Sequence, residues 1–251
     1  MLNWTAPTSG ATSYNVKRGT SLSGAFTTIA TLHSAVTYTD SGTNYDGSNI
    51  LTNGTKYYYV VTAMNNIGES GASNTVGATP NKSSITNIFN TGIDSSGNAV
   101  ADSNVDPHYA LVSTPSGSAG TAYVTQQHWP IQNGVWLLDT STSKWVSPYA
   151  DESQQLDAPG NYTYQTTFTV TGDATAVKIT GQLAADNQVT AIILNGVTVA
   201  SNLVSSYNAW TSFSLTSGFV TGTNTLQFVV YNASNSPNPS GFRCEMTGAL
   251  K

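Results

Sequence analysis

A chain of 251 residues has room for one or two domains of ordinary size. Only 8% of its residues are charged, against about 25% in a typical protein, and the net charge is −5. Nucleic acid and a membrane are therefore excluded as partners, because binding to nucleic acid or anionic lipid needs clustered Lys and Arg, and membrane insertion needs about 18 consecutive apolar residues.

Apolar and polar residues alternate along much of the chain, with turn-forming residues between the alternating segments. A period of two is the pattern of half-buried β-strands, and no segment shows a convincing helical period. The sequence therefore predicts an all-β protein. The apolar positions expected to face a core are Tyr162, Tyr164, Phe168 and Val170 in one segment, Val177, Ile179 and Leu183 in the next, and Leu226, Phe228 and Val230 in a third.

The first 80 residues carry a specific set of apolar and aromatic positions. Trp4 lies in the first predicted strand, Val16 in the next, and Leu51 and Tyr57 are separated by five residues. These features resemble a fibronectin type III domain over about residues 2–80. The resemblance implies a β-sandwich in which Trp4 packs across the core and the Tyr57 hydroxyl caps the backbone near a turn. It also implies a role as a spacer.

The chain begins inside a predicted strand, at Leu2–Trp4. The first strand of the fibronectin family, which precedes the Trp, is missing, and we expect this to leave an exposed sheet edge. The surface must be built mainly from neutral polar residues, which suits an extracellular protein. We therefore expect a piece of a longer secreted or cell-surface protein, with other domains of that parent chain as partners.

A break is predicted after Pro80, where a short linker, 81–84, separates the first domain (1–80) from a second (85–251). In the second domain one strand ends in Asp186-Asn187, the next ends in Asn195-Gly196, and Gly222-Thr-Asn224 introduces another. This order resembles the galactose-binding-domain-like jelly rolls found in bacterial extracellular glycoside hydrolases. The resemblance implies a second β-sandwich and a carbohydrate-binding role, with a polysaccharide or cell-surface glycan as partner.

Candidate ligand-binding residues follow from the chemistry of sugars, which present apolar C–H faces and a rim of hydroxyl groups. Exposed aromatic rings can stack on those faces, and polar side chains can bond the hydroxyls. Trp145 is the strongest aromatic candidate, because its polar neighbours predict an exposed loop. The candidates as a set are Trp129, Trp145, Tyr149, Asp106, His108, Asp186, Asn187 and Arg243.

Each of these candidates also has a purely structural interpretation. Jelly-roll cores use Trp and Tyr, Asn187 is suited to capping a turn, and Asp186 and Arg243 are suited to a structural ion pair. If the polar candidates bind a ligand, Asp106, His108, Asp186, Asn187 and Arg243 are expected to converge at one end of the sandwich.

One polar segment has the composition of a metal site. Asp94, Asn98 and Asp102 form a segment dense in oxygen donors, the ligands that calcium prefers, but their spacing does not match an EF-hand. A polar hairpin is the alternative there. We expect no cofactor, with calcium left open.

Catalysis is not expected. A glycosidase needs two placed carboxylates, and no motif marks such a pair among Asp151, Glu152, Asp157 and Glu245. The chain also lacks a Gly-x-Ser-x-Gly elbow and a phosphate-binding loop. The function expected from the sequence is therefore a non-catalytic carbohydrate-binding accessory segment, and the alternative is a structural or cell-surface display segment without a sugar ligand.

Overall fold

The computed structural model describes residues 1–8, 10–32, 34–42, 51–52, 54–80, 83–153, 157–234 and 238–251. The fold is all-β, as the alternating pattern predicts. A 3₁₀ turn at Ala174–Ala176 is the helical element within these residues. No described helix has the length and apolar character that a membrane crossing requires. The chain divides into two compact units, Met1–Lys82 and Ser83–Lys251, which we call unit 1 and unit 2.

Within the described residues, unit 1 contains seven strands in two sheets. They are β1 (Leu2–Asn3), β2 (Ser13–Gly19), β3 (Thr27–Leu32), β4 (Thr37–Tyr38), β5 (Tyr57–Asn65), β6 (Gly68–Glu69) and β7 (Val76–Ala78). Strands β1 and β4 form one antiparallel pair. The other sheet has the order β3-β2-β5, with β6 and β7 both pairing along the far side of β5.

The core of unit 1 forms where the apolar residues of these two sheets meet. Val16, Ile29, Tyr57 and Tyr59 are buried there, and Leu2, Trp4, Tyr38 and Leu51 pack against them. The backbone N–H of Thr52 donates to the Tyr57 hydroxyl oxygen over 3.0 Å. This bond ties the turn before β5 to the strand, as expected for Tyr57.

Unit 2 has eleven strands in the part of the chain that the structure describes. They are β8 (Ser84–Thr86), β9 (Ala110–Ser113), β10 (Tyr123–Val124), β11 (Val146–Ser147), β12 (Gly160–Thr171), β13 (Val177–Asp186), β14 (Gln188–Leu194), β15 (Val197–Ser201), β16 (Thr211–Leu215), β17 (Gly222–Asn232) and β18 (Gly241–Leu250). One sheet has the order β10-β11-β18-β13-β16. The other has the order β15-β14-β17-β12-β8, with β9 also pairing with β12.

The core of unit 2 lies between these two sheets. Tyr164 on β12 stacks on Phe242 of β18 with ring centroids 5.4 Å apart, and Phe213 on β16 meets Phe228 of β17 at 5.8 Å. The ten positions for which the alternation predicted a core-facing side chain are all buried in this cluster. The period of two therefore identified the inward face of three long strands correctly.

A second, smaller cluster covers part of the outer face of the five-stranded sheet. It consists of Ile131, Trp136, Trp145 and Ala184, with Leu137, Tyr207 and Trp210 against it. Ala184 lies on β13 between core residues Leu183 and Ala185, so its side chain is on the opposite face of that strand. The irregular segment around Trp136 is thus a cover over the sheet.

Candidate functional site

Several strands of unit 2 end or begin at one end of the sandwich. Asp186 at the end of β13 pairs with Gly241 at the start of β18, and Asn232 at the end of β17 pairs with Gly160 at the start of β12. An isolated bridge joins Asp157 to Asn238 just beyond them. The connections that leave these strands therefore meet, and we call this part of unit 2 the loop end (126–131, 147–153, 157–160, 186–187, 231–234 and 238–241).

Exposed aromatic rings concentrate at the loop end. Trp129 is 45% exposed, Tyr149 43% and Tyr231 40%, and among the described residues these are the aromatic side chains with the greatest exposure. The sequence indicated Trp129 and Tyr149 as candidates but not Tyr231, because Tyr231 continues the regular alternation of β17 and carries no separate signal.

Two loops that carry these rings are joined to each other. His128 Nδ1 lies 3.0 Å from Asp151 Oδ2, and the backbone N–H of Gln126 donates to the Ala150 carbonyl over 2.8 Å. Trp129 follows His128 directly, and Tyr149 precedes Ala150. The bonds therefore hold the backbone beside both rings while the rings remain in solvent.

Three acidic side chains lie buried beneath this surface. Glu152 is 2% exposed, Asp157 3% and Asp186 7%. Each carboxylate accepts a hydrogen bond from a neighbour: Glu152 from the Tyr149 backbone N–H at 3.3 Å, Asp157 from the Ser240 backbone N–H at 3.1 Å, and Asp186 from Trp136 Nε1–H at 2.9 Å.

Burial raises the pKa of all three carboxyl groups, because removal from water disfavours the charged form. For Glu152 the neighbouring Asp157 carboxylate adds to the effect of burial. Burial is likewise the largest cause for Asp157. For Asp186 burial raises the pKa to about 6, opposed by the hydrogen bond from Trp136.

The raised pKa of Asp186 makes stability depend on pH. The unfolded carboxyl group titrates near pH 3.9 and the folded one near 6, so the folded state binds more protons between these values. Stability should therefore fall as pH rises from about 4 to about 6. Asp186→Asn should remove this loss and stabilise unit 2 at pH 7.5 by at most about 3 kcal/mol, with little gain at pH 4.

Urea titrations of the wild type and of this variant at several pH values would test the effect. Asp173→Asn, which removes an exposed carboxyl group of unit 2, controls for a general change of charge and should not give this gain. A stability difference between the wild type and Asp186→Asn that does not change between pH 4 and 7.5 would contradict the assignment.

The prediction that Trp145 is an exposed platform is wrong. Its side chain is 0% exposed, its ring centroid lies 4.5 Å from that of Trp136, and its Nε1–H donates to the Leu137 carbonyl over 2.7 Å. The neighbouring β11 pairs with β18, which brings Trp145 over the sheet and under the covering segment. Its polar neighbours Lys144 and Ser147 are buried as well, so their polarity gave a false sign of a surface loop.

Asp106 and His108 are engaged away from the loop end. Asp106 is 4% exposed and accepts bonds from the backbone N–H groups of Gly92, His108 and Tyr109 at 2.6–2.9 Å. The His108 ring stacks on Phe89 with centroids 3.6 Å apart. In the described part of the chain the contacts of these two side chains are to Phe89, Gly92, Ser95 and Tyr109. The convergence of the five polar residues stays a prediction.

Arg243 is a structural residue of the smaller cluster. It is 1% exposed, and its guanidinium group lies 4.9 Å above the Trp210 ring. It donates to Ser143 Oγ, to the Leu138 carbonyl and to Thr140 Oγ1. The ion pair suggested with Asp186 is not formed; Arg243 lies 3.9 Å from Glu245, and Asp186 bonds Trp136 instead.

Asn187 caps a turn, which is the structural interpretation of this residue. Its Oδ1 accepts from the Ala233 backbone N–H over 2.6 Å, and its own N–H donates to the Tyr231 carbonyl over 3.0 Å. Asn187 thereby ties the β13–β14 turn to the end of β17. Its amide oxygen is engaged within the protein, which leaves less of the side chain for a ligand.

The calcium candidates Asp94, Asn98 and Asp102 are bonded within the protein. Asp94 Oδ1 accepts from the backbone N–H groups of Ser96 and Asn98, which closes a turn, and an isolated bridge joins Ile93 to Ala99. Asp102 is ion-paired with Lys144. The segment is the polar hairpin of the alternative interpretation. Within the described ranges, no group of three or more His, Cys, Asp or Glu is placed to hold a metal ion.

No protein-family model and no curated protein matches the chain. Similar solved structures include the α-L-rhamnosidases of Streptomyces avermitilis (complexed with L-rhamnose) and Aspergillus terreus. The first is 16% identical, with 96% of this chain and 21% of that chain covered and a TM-score of 0.31; the second is 9% identical, with 96% and 24% covered and a TM-score of 0.29. The GH31 α-xylosidase of Xanthomonas citri is 10% identical, with 80% and 26% covered and a TM-score of 0.23.

The chain thus spans only about a fifth to a quarter of these glycosidases. The low superposition scores give no basis for transferring a fold family, a substrate or an activity from them.

Proposed function

We propose that this chain is a non-catalytic, glycan-binding accessory segment of a larger secreted protein. In it unit 2 binds the glycan and unit 1 is a spacer. The observation that carries the proposal is the placement of the exposed aromatic rings of Trp129, Tyr149 and Tyr231, all at the loop end of unit 2. Exposed apolar surface marks an interaction site when it is contiguous, and all three rings belong to the segments of the loop end.

The chemistry of the loop end suits a polysaccharide or a cell-surface glycan. Aromatic rings can stack on the apolar faces of sugar rings, and the His128–Asp151 pair offers a donor and an acceptor to hydroxyl groups. The surrounding surface has few charges, so long-range electrostatic attraction contributes little. We therefore expect weak, contact-dominated binding with Kd on the order of 10–1000 µM, or about 4–7 kcal/mol.

The topology of unit 1 supports its assignment as a fibronectin type III-like spacer. The β1–β4 pair and the β3-β2-β5 sheet, extended by β6 and β7, give the two sheets of such a sandwich. The bond between Thr52 and Tyr57 is the backbone contact that a tyrosine corner makes. For unit 2, the two facing antiparallel sheets support the jelly-roll assignment.

The burial of the acidic pair supports a role without catalysis. Glycosidases place two carboxyl groups on either side of an accessible bond. Glu152 and Asp157 instead contact each other, and they are only 2% and 3% exposed. A sugar ring cannot lie between them.

The second candidate function is a structural or surface-display segment without a sugar ligand. The observation in its favour is that Trp145, Arg243 and Asp106, three of the predicted ligand residues, are buried and bonded within the fold. In that case the exposed rings at the loop end would contact no glycan.

The test is retention of the whole chain by neutral polysaccharides, selected first on a glycan array. Trp129→Ala and Tyr149→Ala should each weaken retention about 10-fold or more, since stacking contacts supply much of a weak binding energy. Val220→Ala is the control, because Val220 is 48% exposed and precedes the start of β17, away from the loop end.

Binding of a glycan by the wild type and by Val220→Ala, with loss in the two aromatic variants, would support the proposal. If no glycan is retained, the display-segment candidate takes its place. If a glycan is retained equally by all variants, the site lies elsewhere on the chain.

A further inference from the structure

The ionisable side chains of the loop end are almost all acidic. Within the ranges that define it, the sequence has Asp151, Glu152, Asp157 and Asp186, and it has no Lys or Arg. His128 is the one side chain in these ranges that can carry a positive charge, and its Nδ1 lies 3.0 Å from Asp151 Oδ2. A ligand at the loop end therefore meets a surface where negative charge outweighs positive charge.

Two of the four Lys and Arg residues of unit 2 are covered by other side chains. Lys144 is 8% exposed and forms an ion pair with Asp102. Arg243 is 1% exposed, and its guanidinium group lies over the Trp210 ring. Neither positive charge is presented at the surface, so neither can pair with an anionic ligand at the loop end.

The other two cations of unit 2 lie at the opposite end of the sandwich. Lys178 is on β13 eight positions before Asp186, which corresponds to about 26 Å along the strand. Lys251 Nζ donates to the Thr175 carbonyl, just before β13 begins. Salt screens exposed charges beyond about 8 Å at physiological ionic strength. These two cations therefore do not offset the acidic groups of the loop end.

Asp151 brings a negative charge to the solvent beside the exposed rings. Its side chain is 23% exposed, and it accepts from the Ser153 N–H over 3.0 Å and from Ser153 Oγ over 2.6 Å. Burial alone would raise the pKa of the Asp151 carboxyl group, but hydrogen bonds from Ser153 and His128 outweigh it and hold the pKa below its usual range. Asp151 is therefore ionised at neutral pH.

The loop end also has hydrogen-bond acceptors in excess. In the described part of the chain, the buried Asp186 Oδ1 has no hydrogen-bond donor, and an ionised carboxylate such as Asp151 only accepts. Sugar hydroxyls can donate, and so can the ammonium group of an amino sugar. A carboxylate or sulfate group on a sugar only accepts. It would lose water here without gaining a cation as a partner, which is costly.

We propose that the loop end selects glycans by charge: it binds neutral sugars and amino sugars, and it rejects sugars that carry a carboxylate or a sulfate group. This inference rests on the proposed glycan-binding function and names the class of sugar that the same surface takes. Stacking on the exposed rings requires no charge, so a neutral sugar keeps that contact. An ammonium group is attracted both by Asp151 and by the faces of aromatic rings.

The experiment measures retention of the whole chain on an array of matched oligosaccharides. Chitohexaose is placed beside glucosamine hexamer, cellohexaose beside its carboxylated form, and N-acetyllactosamine beside its sulfated form. At about 20 mM NaCl, each acidic member should be retained about 10-fold less than its neutral parent, or weaker still. At about 500 mM NaCl this gap should narrow, because salt screens the repulsion.

The outcomes on the array separate this inference from the proposed function. If acidic members are retained as well as their neutral parents, or better, the charge selection is wrong while glycan binding stands. The same conclusion follows if the ratio of acidic to neutral retention does not rise with salt. If no member of the array is retained by the wild type, the proposed function fails and this inference fails with it.

A charge reversal at the surface tests the cause of the selection. Asp151→Lys should bring the retention of each acidic member to within about 3-fold of its neutral parent, because it places a cation beside the rings. Asp173→Lys is the matched control, since Asp173 is exposed and follows β12 at the opposite end of the sandwich, and it should keep the wild-type ratio.

The measured quantity in both variants is the ratio between two members of one pair. A general loss of binding in a variant therefore does not imitate a change in charge preference. An Asp151→Lys ratio equal to that of the wild type would overturn the proposal. If Asp151→Lys does not fold or loses all retention, the salt series on the wild type decides between the outcomes.

Discussion

Replacing Trp145 with alanine should destabilise unit 2 by about 3–5 kcal/mol. The side chain is 0% exposed and fills the space between Trp136 and β13, so its removal leaves a large cavity under the covering segment. The change also leaves the Leu137 carbonyl without the indole N–H that now donates to it. Chemical denaturation should show the unit 2 transition at much lower urea, with the unit 1 transition unchanged.

Trp129→Ala is the matched control for this prediction. It removes the same ring from a position that is 45% exposed, so the expected loss of stability is below about 1 kcal/mol. Similar losses in the two variants would contradict the burial of Trp145. Trp145→Phe should recover part of the stability, because it restores apolar volume but not the hydrogen bond.

Arg243→Met should cost unit 2 about 3–5 kcal/mol at pH 8. Methionine retains contact with the Trp210 ring but loses the three hydrogen bonds that the guanidinium group donates. It also removes the positive charge that stabilises the Asp139 carboxylate. Burial already raises the pKa of that carboxyl group to about 6. The loss should be smaller at pH 5, where Asp139 is protonated in the folded state.

A double-mutant cycle separates these contributions. Asp139→Asn combined with Arg243→Met should be less destabilising than the sum of the two single changes, because each single change leaves a buried group without its partner. Lys178→Met, a change of a partly exposed cation on the same sheet, should shift stability by less than about 0.5 kcal/mol. Additive effects of the double variant, with no pH dependence, would contradict the coupling.

Strand faces were predictable from the sequence, since side chains alternate across a strand whatever its neighbours are. Tyr162, Tyr164 and Phe168 on β12 needed no tertiary information to be placed in the core, and they are buried. The same local rule gave the all-β class. The resemblance to a fibronectin type III domain likewise implied a backbone bond at the Tyr57 hydroxyl, and the Thr52 N–H makes it.

Trp145 shows where local patterns are insufficient. Its neighbours are polar, but exposure depends on what covers the outer face of a sheet, and the cover comes from residues 131–137. Arg243 was singled out correctly as needing a partner, but Ser143, Leu138 and Thr140 come from about 100 positions away. Its actual partners could not be read from the strand that carries it.

The sequence by itself determined the class of this protein, the inward face of its long strands, and the candidacy of Trp129 and Tyr149 as exposed rings. Only the tertiary structure decided which polar residues are buried and which of them meet. Asp157 and Asn232, for example, are 75 positions apart in the sequence, and no local period relates them. The Asn232 amide reaches the Asp157 carbonyl because antiparallel pairing brings the start of β12 and the end of β17 together, and such long-range closure depends on the whole sheet.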